Sequence, residues 1–202
     1  DAFVAPCAKF DWGNKTTTIR WNHLFSKKIF SNFTAYYSKY DYQLGFGTGK
    51  NTFEWKSNIV NFSVKPDFTF YINPRNTLQF GVVSTYYIFS PGQAISQDEG
   101  SRVDFGLPKK YALENAIYIE NEQKVNDNLT MRYGIRFSSF NYIGKGSALI
   151  LEKNNFAQRA NVVAEQTYNA REVIQSYNTP EPRFSANYKL NKLSSVKASY
   201  NR

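Results

Sequence analysis

The stretch "LTMRYGIRFS" (residues 129–138) alternates from one end to the other. Leu129, Met131, Tyr133, Ile135 and Phe137 fall on one parity; Thr130, Arg132, Gly134, Arg136 and Ser138 fall on the other. Side chains of a strand alternate between its faces, so an extended chain here has one apolar face and one wet, cationic face. A soluble barrel or sandwich buries the apolar face. An outer-membrane barrel turns it to lipid and lines its lumen with the polar one.

Eight segments read as strands: Thr16–Phe25, Phe30–Phe46, Phe53–Ile72, Thr77–Phe89, Tyr111–Lys124, Leu129–Tyr142, Arg183–Leu190 and Ser195–Asn201. In the third, Phe62, Val64, Pro66, Phe68, Phe70 and Ile72 oppose Ser63, Lys65, Asp67, Thr69 and Tyr71. In the first, Ile19, Trp21, His23 and Phe25 oppose Thr18, Arg20 and Asn22. Pro66 removes one ladder donor and marks a local irregularity in a long strand. The composition agrees: 15 Tyr and 17 Phe dominate the apolar residues, and aromatic side chains favour strands.

The connections are unequal. "SKK", "NPRN", "VNDN" and "NKLS" carry the chemistry of tight turns. "GTGKN" is longer, and residues 90–110 and 143–182 are read as long loops, the second with weak helical spacing in "NNFAQRANVVAEQ". Consecutive antiparallel strands alternate direction, so the short turns collect at one end and the long loops at the other. Outer-membrane barrels have this asymmetry, with short periplasmic turns and long extracellular loops. Aromatic side chains also gather near the short turns, Trp21, Phe25, Phe30 and Phe33 at one and Phe68, Phe70 and Tyr71 at another, as in an interfacial girdle.

The mean hydropathy of −0.53 and the lack of a long apolar run exclude a helical membrane protein, but not a barrel whose strands are half apolar. The net charge of +9 raises the question of nucleic acid, yet the basic residues are scattered and no binding motif accompanies them. Nucleic acid is therefore not an expected partner. Cys7 has no second cysteine to pair with, and the first residues lack the pattern of a secretory signal.

No enzymatic constellation stands out. His23, the one histidine, lies on an apolar strand face, so neither a zinc set nor a histidine-dependent triad is expected, and no metal or cofactor. "GFGTGKNT" lacks phosphate-loop spacing and "QDEGSRVD" lacks calcium-loop spacing. Glu114, Glu120 and Glu122 share a parity and read as lumen residues rather than a glycosidase pair.

The run "DWGNKTTTIRWNHLFSKKIFSNFTAYYSKYDYQLGF" resembles a barrel hairpin of the TonB-dependent outer-membrane receptors of Gram-negative bacteria. The likeness lies in Trp21-Asn22-His23 before the turn and in Phe30-Ser31-Asn32 and Tyr40-Asp41-Tyr42 after it. "VNFSVKPDFTFYINPRNTLQFGVVSTYYIFSPG", "ENAIYIENEQKVNDNLTMRYGIRFSS" and "EPRFSANYKLNKLSSVKASYNR" resemble further hairpins of such a barrel. The resemblance implies a much larger barrel holding an N-terminal plug domain, with a box before the plug that contacts TonB. It also implies uptake of a siderophore, haem, cobalamin or an oligosaccharide. By that pattern residues 1–202 form an internal piece of the barrel, without plug or TonB box and not competent for transport alone.

The expectation is thus an all-β, antiparallel, up-and-down meander of about eight strands, part of a larger transmembrane β-barrel in the cell outer membrane, and not an enzyme. Ile19, Trp21, Phe68, Phe70, Leu129, Ile135 and Phe137 are expected to face lipid. Arg20, Lys65, Asp67, Glu120, Arg132 and Arg136 are expected to face the lumen and meet plug or substrate. Two other architectures compete: a self-contained eight-stranded outer-membrane barrel with a structural or adhesive role, and a soluble β-calyx around an apolar ligand.

Overall fold

The computed structural model of the chain describes residues 8–48, 51–98, 101–151 and 162–202. These hold β1 (Ala8–Ser26), β2 (Ile29–Thr48), β3 (Asn51–Asn73), β4 (Asn76–Asp98), β5 (Ser101–Gly106), β6 (Lys110–Lys124), β7 (Leu129–Ile143), β8 (Gly146–Leu151), β9 (Val162–Tyr168), β10 (Val173–Lys189) and β11 (Ser195–Asn201). The main sheet runs β1-β2-β3-β4-β6-β7-β10-β11, with β5 also on β4 and β8–β9 as a separate hairpin. Every pairing is antiparallel, and β1 and β11 are the outer strands of an open sheet. The fold is an all-β meander.

The pairing register sorts the side chains. One unbroken row runs His23, Ser31, Phe68, Phe80, Ile119, Ile135, Pro182 across seven strands. The adjacent row, one residue along each strand, runs Asn22, Asn32, Asp67, Gly81, Tyr118, Arg136, Glu181. The first row lies on an apolar face and the second on a polar one. Apolar side chains on the first face remain open, with Ile117 59% and Ile135 50% exposed. The few buried apolar side chains include Ala112 and Ala116 on the polar face.

The strands outrun their expected bounds. β4 continues past Phe89 to Asp98 and turns back as β5, so residues 90–106 form mostly a hairpin rather than an irregular loop. Within 143–182, β8 and β9 pair and β10 already begins at Val173. The expected helical spacing of "NNFAQRANVVAEQ" does not produce a helix at Val162–Gln166, which belongs to β9; residues 154–161 lie outside the described residues. Cys7 and part of "GFGTGKNT" lie outside them too.

Prolines in this sheet are tolerated by direction. Lys189 donates its backbone N–H to Asn128 beside β7 at 2.8 Å, so odd-numbered N–H groups of β10 point to β7 and even-numbered ones away from it. Pro180 and Pro182 are even-numbered, and their missing donors cost the β7–β10 ladder nothing. In β3, Tyr71 donates toward β2, which aims position 66 at β4, and there the pairing skips Lys65 and Pro66.

Candidate functional site

The polar face carries the chemistry, arranged in linked clusters. Nearest one set of turns, Arg132 on β7 reaches Glu122 at 2.7 Å and Glu120 at 3.4 Å on β6. Four residues along β7, Arg136 donates to Ser138 at 3.0 Å and lies 3.7 Å from Glu181 on β10. Ser138 donates to Glu181 at 2.6 Å, and Arg183 closes the group at 3.0 Å from the same carboxylate. On the neighbouring strands Tyr118 donates to Asp67, which also pairs with Lys65 at 3.2 Å. Such half-exposed pairs contribute at most about 1 kcal/mol each, so the clusters orient side chains more than they stabilise the sheet.

Tyr118 owes its position to a glycine. Gly81 is its direct partner across β4 and β6, and a Cβ built there would lie 2.7 Å from the Tyr118 hydroxyl oxygen and 2.6 Å from the Pro66 carbonyl oxygen. The ring therefore occupies the space that a side chain would take, covering the glycine and delivering its hydroxyl two strands away to Asp67. Gly81→Ala is expected to expel the ring and destabilise by about 1–3 kcal/mol. Tyr118→Phe should lose only the hydrogen bond, about 1 kcal/mol. Urea unfolding of the two variants beside the parent protein would compare them.

Farther from the turns the same face becomes richer in aromatic side chains. The Tyr87 hydroxyl donates to Glu114 at 2.9 Å, its ring stacks on Phe89 at 5.6 Å, and Lys110 lies 5.4 Å over the Tyr142 ring. Ser63 and Thr85, both buried, bond each other at 2.8 Å beneath this aromatic layer.

The register places Arg20, Lys65, Asp67, Glu120, Arg132 and Arg136 all on the polar face. It does not gather them at one point. Arg132 with Glu120, Arg136, and Lys65 with Asp67 belong to different clusters, while Arg20 lies across from Thr34 without an ion-pair partner among the described residues. Ile19, Trp21, Phe68, Phe70, Leu129, Ile135 and Phe137 occupy the opposite face. Sequence reasoning missed Glu181, Arg183 and Tyr118. The first lies between two prolines in a stretch read as loop, and the reach of the last to Asp67 depends on register.

The apolar face has its own order. Trp21, Phe33, Phe68 and Phe80 form a continuous run of ring contacts across four strands, at 5.2, 5.7 and 5.3 Å. His23 sits within it, 5.3 Å from Trp21 and 4.5 Å from Phe25, and its imidazole has no hydrogen-bond or ion-pair partner among the described residues. From Val60 to Phe70 this face of β3, and its neighbours on β4, carry no Lys, Arg, Asp or Glu. Ten steps at about 3.4 Å, tilted about 40–45°, make a band roughly 25 Å tall. Above it the same face turns ionic, with Lys39–Asp41 at 2.8 Å and Lys56–Glu54 at 2.6 Å. The Lys56 ammonium holds the Glu54 carboxyl below its ordinary range.

The family model described as TonB dependent receptor-like, beta-barrel matches residues 4–202. The chain belongs to this TonB-dependent receptor β-barrel family. TonB-dependent receptors are outer-membrane receptors and transporters of Gram-negative bacteria rather than enzymes. Among solved structures, the unliganded ferric citrate transporter FecA matches with a TM-score of 0.61 and 14% identity, over 95% of this chain and 27% of that one. That likeness is one of fold. The chain spans about a quarter of the length of the receptor it matches. No curated protein matches it.

Proposed function

We propose that this chain is a stretch of barrel wall in the outer membrane of a Gram-negative bacterium, within a TonB-dependent receptor that imports a scarce nutrient. The apolar face meets lipid; the polar face lines the lumen, where its charged clusters meet the plug and its aromatic layer meets the incoming ligand. The strand ends that carry the β4–β5 and β8–β9 hairpins point out of the cell. TonB acts through the plug, so this stretch of wall does not transport by itself. The ligand belongs to the family's range of siderophores, haem, cobalamin and oligosaccharides.

The observation that carries this reading is the separation of chemistry by face: a band about 25 Å tall on β3 and β4 without Lys, Arg, Asp or Glu, backed by a face with Asp67, Glu120, Arg132, Arg136 and Glu181. A calyx would need the apolar face inside, where the rows of Trp21, Phe33 and Phe68 would line a cavity. A self-contained eight-stranded barrel would need β1 to pair with β11, and the two are the free margins of an open sheet.

Single cysteines in the full-length receptor, with Cys7 replaced by serine, test the assignment. In intact outer membranes, Ile117→Cys and Phe137→Cys should react only with a lipid-soluble maleimide. Ser138→Cys and Thr179→Cys should react with a water-soluble one. The opposite pattern would overturn the proposal.

A further inference from the structure

On the apolar face, one row that includes the short side chains of Ala35 and Ser84 lies between two rows rich in aromatic rings. Ile19, Ala35, Val64 and Ser84 form that row, with Thr17, Tyr37, Phe62 and Tyr86 directly above it and Trp21, Phe33 and Pro66 below. Because Ala35 and Ser84 are short, the face is hollowed into a groove of about 460 Å³. Its lining is almost wholly apolar, so water gains little there and a hydrocarbon chain gains contact.

Immediately above the groove stand two lysines. Lys15 and Lys39 are direct cross-strand partners, two residues beyond Thr17 and Tyr37, or roughly 7 Å along the strands. Like charges directly opposite each other destabilise a sheet. Asp41 answers one of them, lying 2.8 Å from Lys39. Lys15 has no ion-pair partner among the described residues. One positive charge is therefore left uncompensated where the uncharged band ends, at the level of lipid headgroups.

We infer that this groove and lysine pair form a binding site for a phosphorylated lipid of the outward-facing leaflet. One acyl chain lies across Ala35 and Ser84, and the phosphate bridges Lys15 and Lys39. The site rests on the assignment of the apolar face to lipid. A free phosphate ion would satisfy the lysines but not the groove, and a zwitterionic lipid would fill the groove but bring its own cation to the lysines. A phosphomonoester or phosphodiester lipid without a cationic group satisfies both.

The test uses the full-length receptor reconstituted in phosphatidylcholine vesicles with spin-labelled phosphatidic acid or spin-labelled phosphatidylcholine as probe. The motionally restricted fraction should favour phosphatidic acid, by roughly fivefold for each lysine engaged. Lys15→Gln with Lys39→Gln should abolish that preference without changing the phosphatidylcholine fraction. Ala35→Trp, which fills the groove, should abolish it with both lysines in place. Lys27→Gln with Lys28→Gln, at the opposite turn, should leave it intact, and inorganic phosphate should not displace the lipid. Folding of each variant is checked by its heat-dependent shift on a denaturing gel. A preference that survives the double lysine change or Ala35→Trp, or that yields to inorganic phosphate, would overturn the site. Failure of the wild-type receptor to restrict either lipid would instead overturn the lipid-facing assignment.

Discussion

Ile135→Arg in the full-length receptor is expected to stop the barrel from assembling in the outer membrane. Ile135 lies in the middle of the β7 crossing, in the row with Ile119 and Pro182, and half of its surface is open on the apolar face. A guanidinium placed there at the bilayer midplane costs about 2–4 kcal/mol, a shift of roughly 30- to 1,000-fold in the folding equilibrium. The penalty cannot be relieved by snorkelling, since the nearest headgroup level is several strand residues away. Arg136→Gln, one residue along, is the matched comparison. It removes a cation from the polar face, and Glu181 keeps both Arg183 at 3.0 Å and the Ser138 hydroxyl at 2.6 Å. Quantifying folded receptor in purified outer membranes by its heat-dependent gel shift should show loss for the first and near-normal amounts for the second. Equal loss in both would mean that the two faces do not differ in environment.

The difference between these neighbours was open to inspection in the sequence because a half-apolar strand writes its orientation into residue parity. Leu129 to Phe137 alternate cleanly, as do Phe62 to Phe70, and the eight strand-like segments correspond to the eight strands of the main path. Legibility ends where the environment stops differing between faces. Beyond Phe89 the polar, proline and glycine residues of β4's extension break the alternation, Val173–Pro182 carries no clean period, and β5 alternates only from Arg102 to Phe105, too briefly to stand out. The two prolines of β10 deepened the disguise, since proline argues against a strand unless the direction of its missing N–H is known. The polar clusters were half legible for a different reason. Parity told that Asp67 and Arg136 share a face with their neighbours, but Tyr118 and Asp67 are 51 residues apart, and Arg136 and Glu181 meet only through the β7–β10 register. Charge and spacing along one strand hold no information about which row of the next strand lies opposite.

Gly134 shows how much hangs on such a row. The sequence offers it as one more member of the polar parity between Arg132 and Arg136, with nothing to set it apart. In the sheet a Cβ at this position would fall 2.4 Å from the Ile119 carbonyl oxygen and 2.8 Å from the Glu120 Cα. Both are backbone atoms of β6, so no rotamer change on a neighbour makes room, and the β6–β7 ladder itself would have to part. Gly134→Val is therefore expected to destabilise at or above the upper end of the about 1–3 kcal/mol typical of overpacking. Gly106→Ala, whose Cβ meets nothing within 4 Å, should stay within about 0.5 kcal/mol of the parent. The loss at Gly134 should also reach beyond stability, because Arg132 with its two glutamates and Arg136 with Glu181 flank it on the same strand. Parting β6 from β7 separates Arg132 from Glu120 and Glu122 but leaves the β7–β10 contacts of Arg136 in place. Urea unfolding in vesicles gives the first quantity. The second follows from a double-mutant cycle with Glu122→Gln, which should show coupling to Arg132 in the parent and almost none in Gly134→Val. Undiminished coupling in the valine variant would mean that the sheet accommodates the side chain without opening the seam.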